Sequence, residues 1–424
     1  MTPRWLAGFV PLAVLGTVAA AQPAPLRFDP SRLGRIDAAM RDYVDRGQIA
    51  GAVTLILQHG RVVHQGAWGW ADREAGRQMT GDAIFRIASQ TKAITSVAVM
   101  MLVEEGKIGL GDPVSRWLPT FAATTVATAS DTGRVIVPAR RRITIRDLLT
   151  HTAGISYGTS PLVAPLYQAK GLGPAAGFGW YTADKSEPIC ETMERLGTLP
   201  FVAQPGEAYV YGYNTDILGC VVERASGVPL DRFFATRIFQ PLGMTDTHFF
   251  LPPDKAGRLA AVYRPGQGGL VRADTGARGQ GHYLTGPRIS FAGGAGLVST
   301  ARDYGRFLQM LLGGGRLGSV RILSPTTVRL MTSNLVGTLF SSDGLGFGLG
   351  FQVVERPGAG ASPQAVGSFG WGGAYQTNYS VDPANDAVFV LMTQHLPGAE
   401  LDIRGRFIAL AYQALVPAAA GSRP

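Results

Sequence analysis

Charge is scarce in this 424-residue chain. Only 16% of the residues are Asp, Glu, Lys or Arg, against about a quarter in an ordinary globular protein. Hydrophobic residues make up 46%, so the chain can bury a large core and does not belong to the intrinsically disordered class. Lysine is rarer still, with five against 34 arginines. Those arginines are scattered, the densest group being Arg140-Arg141-Arg142, and no aromatic platform is interleaved with them. The formal charge of +9 therefore reads as a solvated basic surface and not as a nucleic-acid site. Cysteine is limited to Cys190 and Cys220, which excludes a disulfide-dense scaffold and a cysteine-based metal site. Cys220 lies in the apolar run Ile217 to Val222, and two buried free thiols are expected in preference to a bridge, although an oxidising compartment would permit one. The six histidines lack H-E-x-x-H or comparable spacing, so neither a metal nor a cofactor is expected.

Long apolar runs are missing beyond the start of the chain. Arg4, the apolar stretch Trp5 to Val18 and the small residues Ala19-Ala20-Ala21 read as a signal peptide, residues 1–21, cut near Ala21. Pro3, Pro11, Pro23 and Pro25 disfavour a buried first helix there. No later run reaches the roughly 18 residues that cross a bilayer. The expectation is an exported protein, periplasmic or secreted, with no membrane span after cleavage.

Ser31 is placed to cap a helix in which Leu33, Ile36, Met40, Tyr43 and Val44 recur at helical spacing until Gly47. Ala52 to Leu57 and Arg61 to Ala67 read as two strands around a His59-Gly60 turn. Near the other end, Ala387 to Thr393 is strand-like and Leu401 to Val416 reads as a terminal helix. The fold class expected is α/β of the α+β type. An antiparallel sheet flanked by helices is built from both chain ends (22–110 and 290–424) around an inserted, mainly helical region (111–289).

The most informative segment is Ile84-Phe85-Arg86-Ile87-Ala88-Ser89-Gln90-Thr91-Lys92, followed by a nearly uncharged helical run that Gly106 ends. Ser89 stands at the helix start and Lys92 one turn later on the same face, so hydroxyl and amine can touch. A serine hydroxyl is a weak nucleophile until a base takes its proton, and a desolvated lysine can be that base. The helix start also offers backbone N–H groups to a developing oxyanion. By itself S-x-x-K is weak, with roughly a quarter of a match expected by chance at this composition, and its bland reading is a capping serine beside a surface lysine.

Two distant segments strengthen it. Pro205 to Asn214 carries Tyr209, Tyr211 and Tyr213 to the mouth of a helix. Ser368-Phe369-Gly370-Trp371-Gly372-Gly373-Ala374-Tyr375 lies ahead of the strand-like run Asn378 to Val381, and its glycines let backbone approach a ligand. Together the three pieces resemble the serine β-lactamase and penicillin-binding superfamily, in particular its class C-like esterase branch, the family VIII carboxylesterases. The likeness extends over residues 30 to 415, including the segments Thr144 to Gly154 and Gly293 to Tyr304. It implies Ser89 as nucleophile, Lys92 as its partner base and Tyr211 as the second-motif tyrosine. Trp371-Gly372-Gly373 would be the third motif, and the N–H groups of Ser89 and Ala374 the oxyanion hole.

Departures from the pattern carry information. The β-lactamase second motif reads Tyr-x-Asn, whereas Asn214 here falls one place late after Tyr211-Gly212-Tyr213. The third motif of true β-lactamases begins with a lysine that holds the drug's carboxylate; Trp371 stands there, so anionic lactams should bind poorly and neutral acyl esters comparatively well. Gly154-Ile155-Ser156-Tyr157-Gly158 fits the G-x-S-x-G elbow, but that elbow follows a strand and here a helix-like run precedes it. His151 reads as a helix-ending residue. The alternating Gly344, Gly346, Gly348 and Gly350 suit a strand better than a phosphate loop. The resemblance thus implies a cofactor-free serine hydrolase acting on small esters or amides through an acyl-enzyme on Ser89. A β-lactamase, a D-amino-acid peptidase, an acyltransferase and a non-catalytic penicillin-binding sensor are the alternatives.

Overall fold

Two apolar runs from opposite ends of the chain form the centre of the sheet. β1 (Gly51–Gln58) and a strand over Ala387–Thr393 pair antiparallel, with Leu55 opposite Val390, and every residue of both is buried. Such burial on both faces explains why these runs do not alternate with polar residues. The computed structural model describes residues 26–131, 133–173, 185–273, 282–396 and 401–418; the leader expected over 1–21 lies outside them.

β1 continues through the hairpin at His59-Gly60 into β2 (Arg61–Asp72), and β3 (Arg77–Gln78) forms that edge. The other side is built from β4 (Leu345–Phe347), β5 (Gln352–Val354), β6 (Phe369–Gly372), β7 (Asn378–Asp382) and β8 (Ala387–Thr393). The order is β4-β5-β6-β7-β8-β1-β2-β3, and all neighbours are antiparallel.

Six helices bear on the site: α1 (Pro30–Asp45), α2 (Thr91–Glu104), α3 (Ile145–Leu149), α4 (Asn214–Ser226), α5 (Ala301–Leu312) and α6 (Ile403–Tyr412). Successive strand side chains point to opposite faces. Val53, Leu55, Val388 and Val390 therefore join the core of α2 and α5, while Ala52, Ile56, Phe389 and Leu391 join that of α1 and α6. Each large aliphatic side chain buried there contributes about 1.5–3 kcal/mol, which is the physical reason for the low charge content. The segment expected to be mainly helical holds α3 and α4, but also the hairpins Thr125–Ser130/Gly133–Pro138 and Tyr263–Gly266/Gly269–Arg272.

The structure corrects three expectations. The α1 cap is Asp29, whose carboxylate accepts from the Ser31 N–H at 2.8 Å, with Pro30 in the first turn; Ser31 lies inside the helix. The terminal helix stops at Tyr412 because Leu415–Pro417 instead pairs with Leu26–Phe28. Cys190 and Cys220 are not free thiols but a disulfide joining the helix Ile189–Gly197 to α4. The apolar run around Cys220 announced its burial correctly, and burial does not prevent pairing when two helices pack side by side. Among the described residues no helix is long and apolar enough to cross a membrane.

Candidate active site

The site forms where the start of α2 meets the end of β6. Ala88, one residue before Ser89, has a left-handed backbone (φ 43°), a conformation that costs a non-glycine residue about 1 kcal/mol or more. A 3₁₀ turn over Ala88–Gln90 follows and leads into α2. The turn sets Ser89 on the wall of a cleft of about 660 Å³.

One turn on, Lys92 is buried. Its Nζ lies 3.3 Å from Ser89 Oγ, 3.0 Å from Tyr157 Oη and 2.7 Å from the Gly294 carbonyl, so the amine nitrogen is held among three oxygens, one of them the hydroxyl whose proton it can take. Gly294 can present that carbonyl because it has no side chain: a Cβ would stand 2.4 Å from an Asp216 carboxylate oxygen. The Asp216 carboxylate in turn accepts from the Gly294 N–H at 3.2 Å.

Tyr211 brings the face of its ring to Lys92 Nζ, 4.7 Å from the centroid. Its phenol oxygen accepts from Trp371 Nε1 at 3.1 Å. His151 packs against Tyr211 with centroids 4.8 Å apart and against Tyr209 at 5.7 Å. Burial, then the nearby Lys92, pushes the His151 imidazole well below its ordinary pKa, which keeps it neutral. The Asn214 side-chain amide donates to His151 Nδ1 at 2.9 Å. Asn214 thus braces His151 from inside α4 and does not line the cleft. His151 follows the last turn of α3 with a left-handed backbone (φ 56°), as a helix-ending residue should.

On the opposite wall, β6 places Trp371 beside Tyr379 and Gly372 beside Asn378 of β7. Gly373 leaves the strand with its N–H bonded to Thr377 O at 2.9 Å. A Cβ there would lie 2.5 Å from the Ile87 carbonyl, so glycine allows β6 to press against the nucleophile turn. Ala374 lines the cleft with Ser89 and packs against the cluster that holds Ala88.

Ser89, Lys92, Tyr211, Trp371, Gly372, Gly373 and Ala374 therefore converge on one cleft. Two further residues belong to it that sequence reasoning missed. Tyr157 sits within the G-x-S-x-G segment that was set aside for its serine. Ser156 Oγ accepts from the Gly158 N–H at 3.1 Å and is a turn residue, whereas the next side chain reaches Lys92. Burial, reinforced by Tyr211 and Asp216, holds the Tyr157 phenol well above its ordinary pKa, so it stays protonated. The second is Arg404 of α6, which lines the cleft and leaves no mark in the sequence pattern. Among the described residues no group of three or more His, Cys, Asp or Glu is arranged to hold a metal.

Comparison with known proteins fits this arrangement. Residues 36–413 match the Beta-lactamase family. A Mycobacterium tuberculosis protein of uncharacterised function is 38% identical over 383 residues, covering 86% of this chain and 90% of that protein. Esterase EstB of Burkholderia gladioli is 32% identical over 395 residues, covering 89% and 94%. The solved structure of EstCE1, described as a hydrolase with promiscuous acyltransferase activity, is similar with a TM-score of 0.74 at 30% identity, covering 91% of this chain and 98% of its own. With a serine–lysine pair at the head of α2 and a family match over most of its length, the chain belongs to the Beta-lactamase family and is a serine hydrolase of its esterase-like branch.

Proposed function

We propose that this hydrolase cleaves small carboxylic esters through an acyl-enzyme on Ser89. The observation that carries the proposal is the 3.3 Å contact between Ser89 Oγ and a buried Lys92 Nζ at the wall of the cleft. Ser89 Oγ attacks the ester carbonyl while its proton passes to the Lys92 and Tyr211 pair, and the carbonyl electrons move onto oxygen. The N–H groups of Ser89 and Ala374 receive that oxyanion. Collapse breaks the bond to the alcohol, which leaves with a proton from Tyr211. Water then attacks the acyl group, gives a proton to the same assembly, and the acid departs with Ser89 restored. Trp371 fills the third-motif position with an indole that donates to the Tyr211 phenol.

Ser89→Ala is expected to lower kcat/KM for p-nitrophenyl butyrate by several orders of magnitude without loss of fold, and Ser156→Ala to leave it near wild type. The opposite pattern overturns the assignment, and dominant turnover of a chromogenic cephalosporin overturns the preference for esters. EstCE1, by its description, also transfers acyl groups, so adding an alcohol acceptor to the assay separates hydrolysis from transfer. The proposal also places the protein outside the cytoplasm. The leader-like segment Arg4 to Ala21 and the Cys190–Cys220 bridge support export, because disulfides persist in oxidising compartments. Cell fractionation tests it.

A further inference from the structure

The catalytic cleft continues from Ser89 past the end of β6 onto one face of the sheet, and there its lining changes. β6 contributes Gly370 and Gly372, which stand opposite Gln352 of β5 and Asn378 of β7. Residues directly opposite in an antiparallel pair share a face. This is the face that α6 covers farther across the sheet, because Asn378 is in turn opposite Leu391 of β8, a member of the α1 and α6 core. Beyond the helix the apolar side chains give way to carboxamides. Gln352, Gln364, Gln376 and Asn378 all line the cleft and all are half-buried. At Gly370 a Cβ would stand 2.3 Å from the Tyr379 carbonyl, so the strand between the amides is bare backbone.

A sheet face built only for solvent carries charged side chains, and one built to dock another protein is apolar at its centre. This face is neither. Among the described residues no partner is found for the side-chain amides of Gln352, Gln376 and Asn378, and Gln364 uses one donor on Ser380 Oγ at 2.6 Å. The one charged group among the described lining residues, Arg404, is turned to the Gly373 carbonyl. Each carboxamide holds a carbonyl oxygen and an NH2 side by side. Its complement is a neutral ligand that also offers an acceptor and a donor side by side. Adjacent hydroxyls do so, whereas the C=O and N–H of a trans peptide bond point in opposite directions.

We propose that this amide-lined extension is a polyol subsite, and that the preferred substrates are esters of sugars or other alcohols with neighbouring hydroxyl groups. This rests on the esterase reading of Ser89 and names the alcohol it releases. The polyol lies over Gly370, where its hydroxyls donate to and accept from Gln352 and Asn378. Hydrogen bonds made away from the reacting bond then hold the ester carbonyl at Ser89. An alkyl alcohol in the same place displaces water from the amides without replacing its hydrogen bonds, and that loss is what discriminates against it.

A matched pair of esters tests it. 6-O-Butyryl-D-glucose and tetrahydropyran-2-ylmethyl butyrate share the ring and the scissile bond and differ in the hydroxyls. The ratio of their kcat/KM values, followed by acid release, is expected to favour the sugar by about tenfold or more in the wild type and to fall by about fivefold or more in Gln352→Met/Asn378→Leu. The ratio cancels the concentration of folded enzyme, so partial misfolding of the variant does not mimic the effect. A wild-type ratio near one refutes the subsite, and a ratio that the double variant leaves unchanged refutes its assignment to these amides. The butyrate of glycolamide carries a primary amide in place of the hydroxyls, and its cleavage ahead of the sugar ester would refute the polyol. Calorimetric titration of butyrylglucose into Ser89→Ala separates this from the esterase reading. Binding that is lost in Ser89→Ala/Gln352→Met/Asn378→Leu, in a protein whose wild type cleaves none of the three esters, keeps the subsite and refutes the esterase.

Discussion

Replacing Tyr157 by phenylalanine removes one oxygen from the site and little else. The ring is held edge-on by Tyr213, with centroids 4.8 Å apart, and by Tyr211 at 5.8 Å, and phenylalanine keeps both contacts. What disappears is the acceptor 3.0 Å from Lys92 Nζ. Lys92 is only 3% exposed, so without that partner the ammonium formed when it takes the Ser89 proton depends on Ser89 and Gly294 alone. A hydrogen bond to a charged group contributes about 1.5–3 kcal/mol. If that bond holds the amine in place during proton transfer, kcat/KM falls by roughly 10- to 150-fold, since each 1.4 kcal/mol is a factor of ten.

Steady-state hydrolysis of p-nitrophenyl butyrate measures this, with the loss expected in kcat and little change in KM, because Tyr157 acts through Lys92. Thermal melting should place the variant close to wild type. A kcat within threefold of wild type would show that the phenol is only packing. A loss confined to KM would assign Tyr157 to substrate contact and refute its role in positioning the amine.

Reduction of the Cys190–Cys220 bridge, which closes a separation of 30 residues, should lower unfolding stability by about 3 kcal/mol in urea, with Cys190→Ala/Cys220→Ala as control; two titratable thiols in the unreduced, unfolded protein would disprove the bridge. Acid should also weaken the fold through His395. Burial pushes its pKa down to about 4, so between pH 6.5 and 4 the unfolded chain binds a proton that the native state does not. Stability from this residue is complete above pH 6.5 and is lost as pH falls through that window, by up to about 1.4 kcal/mol per pH unit. His395→Gln should flatten the dependence of unfolding free energy on pH by that amount, and an unchanged slope rejects the assignment.

The legibility of the site in the sequence follows the distance over which each contact is made. Ser89 and Lys92 are readable because one helical turn joins them, and their spacing alone fixes which side chains share a face. The central strands are readable for a similar reason: β1 and β8 are predominantly apolar and buried throughout because helices cover both faces of the sheet. Local patterns fail where a remote segment decides the outcome. The residues after Tyr412 have helical spacing, yet pairing with Leu26–Phe28 draws them into a strand. Cys220 reveals its burial, but its partner comes from a separate helix. Tyr157 has no meaning until the Gly154–Gly158 turn is packed beside α2, and Arg404 is one arginine among 34 until α6 packs on α1 and β8 and brings it to the end of β6. The reacting groups therefore lie in short motifs, while the groups that position the amine and supply the cleft's charge come from segments united only by the tertiary fold. A reading from motifs alone predicts chemistry before the shape and charge of the cleft, and here it missed the arginine that α6 brings to the wall.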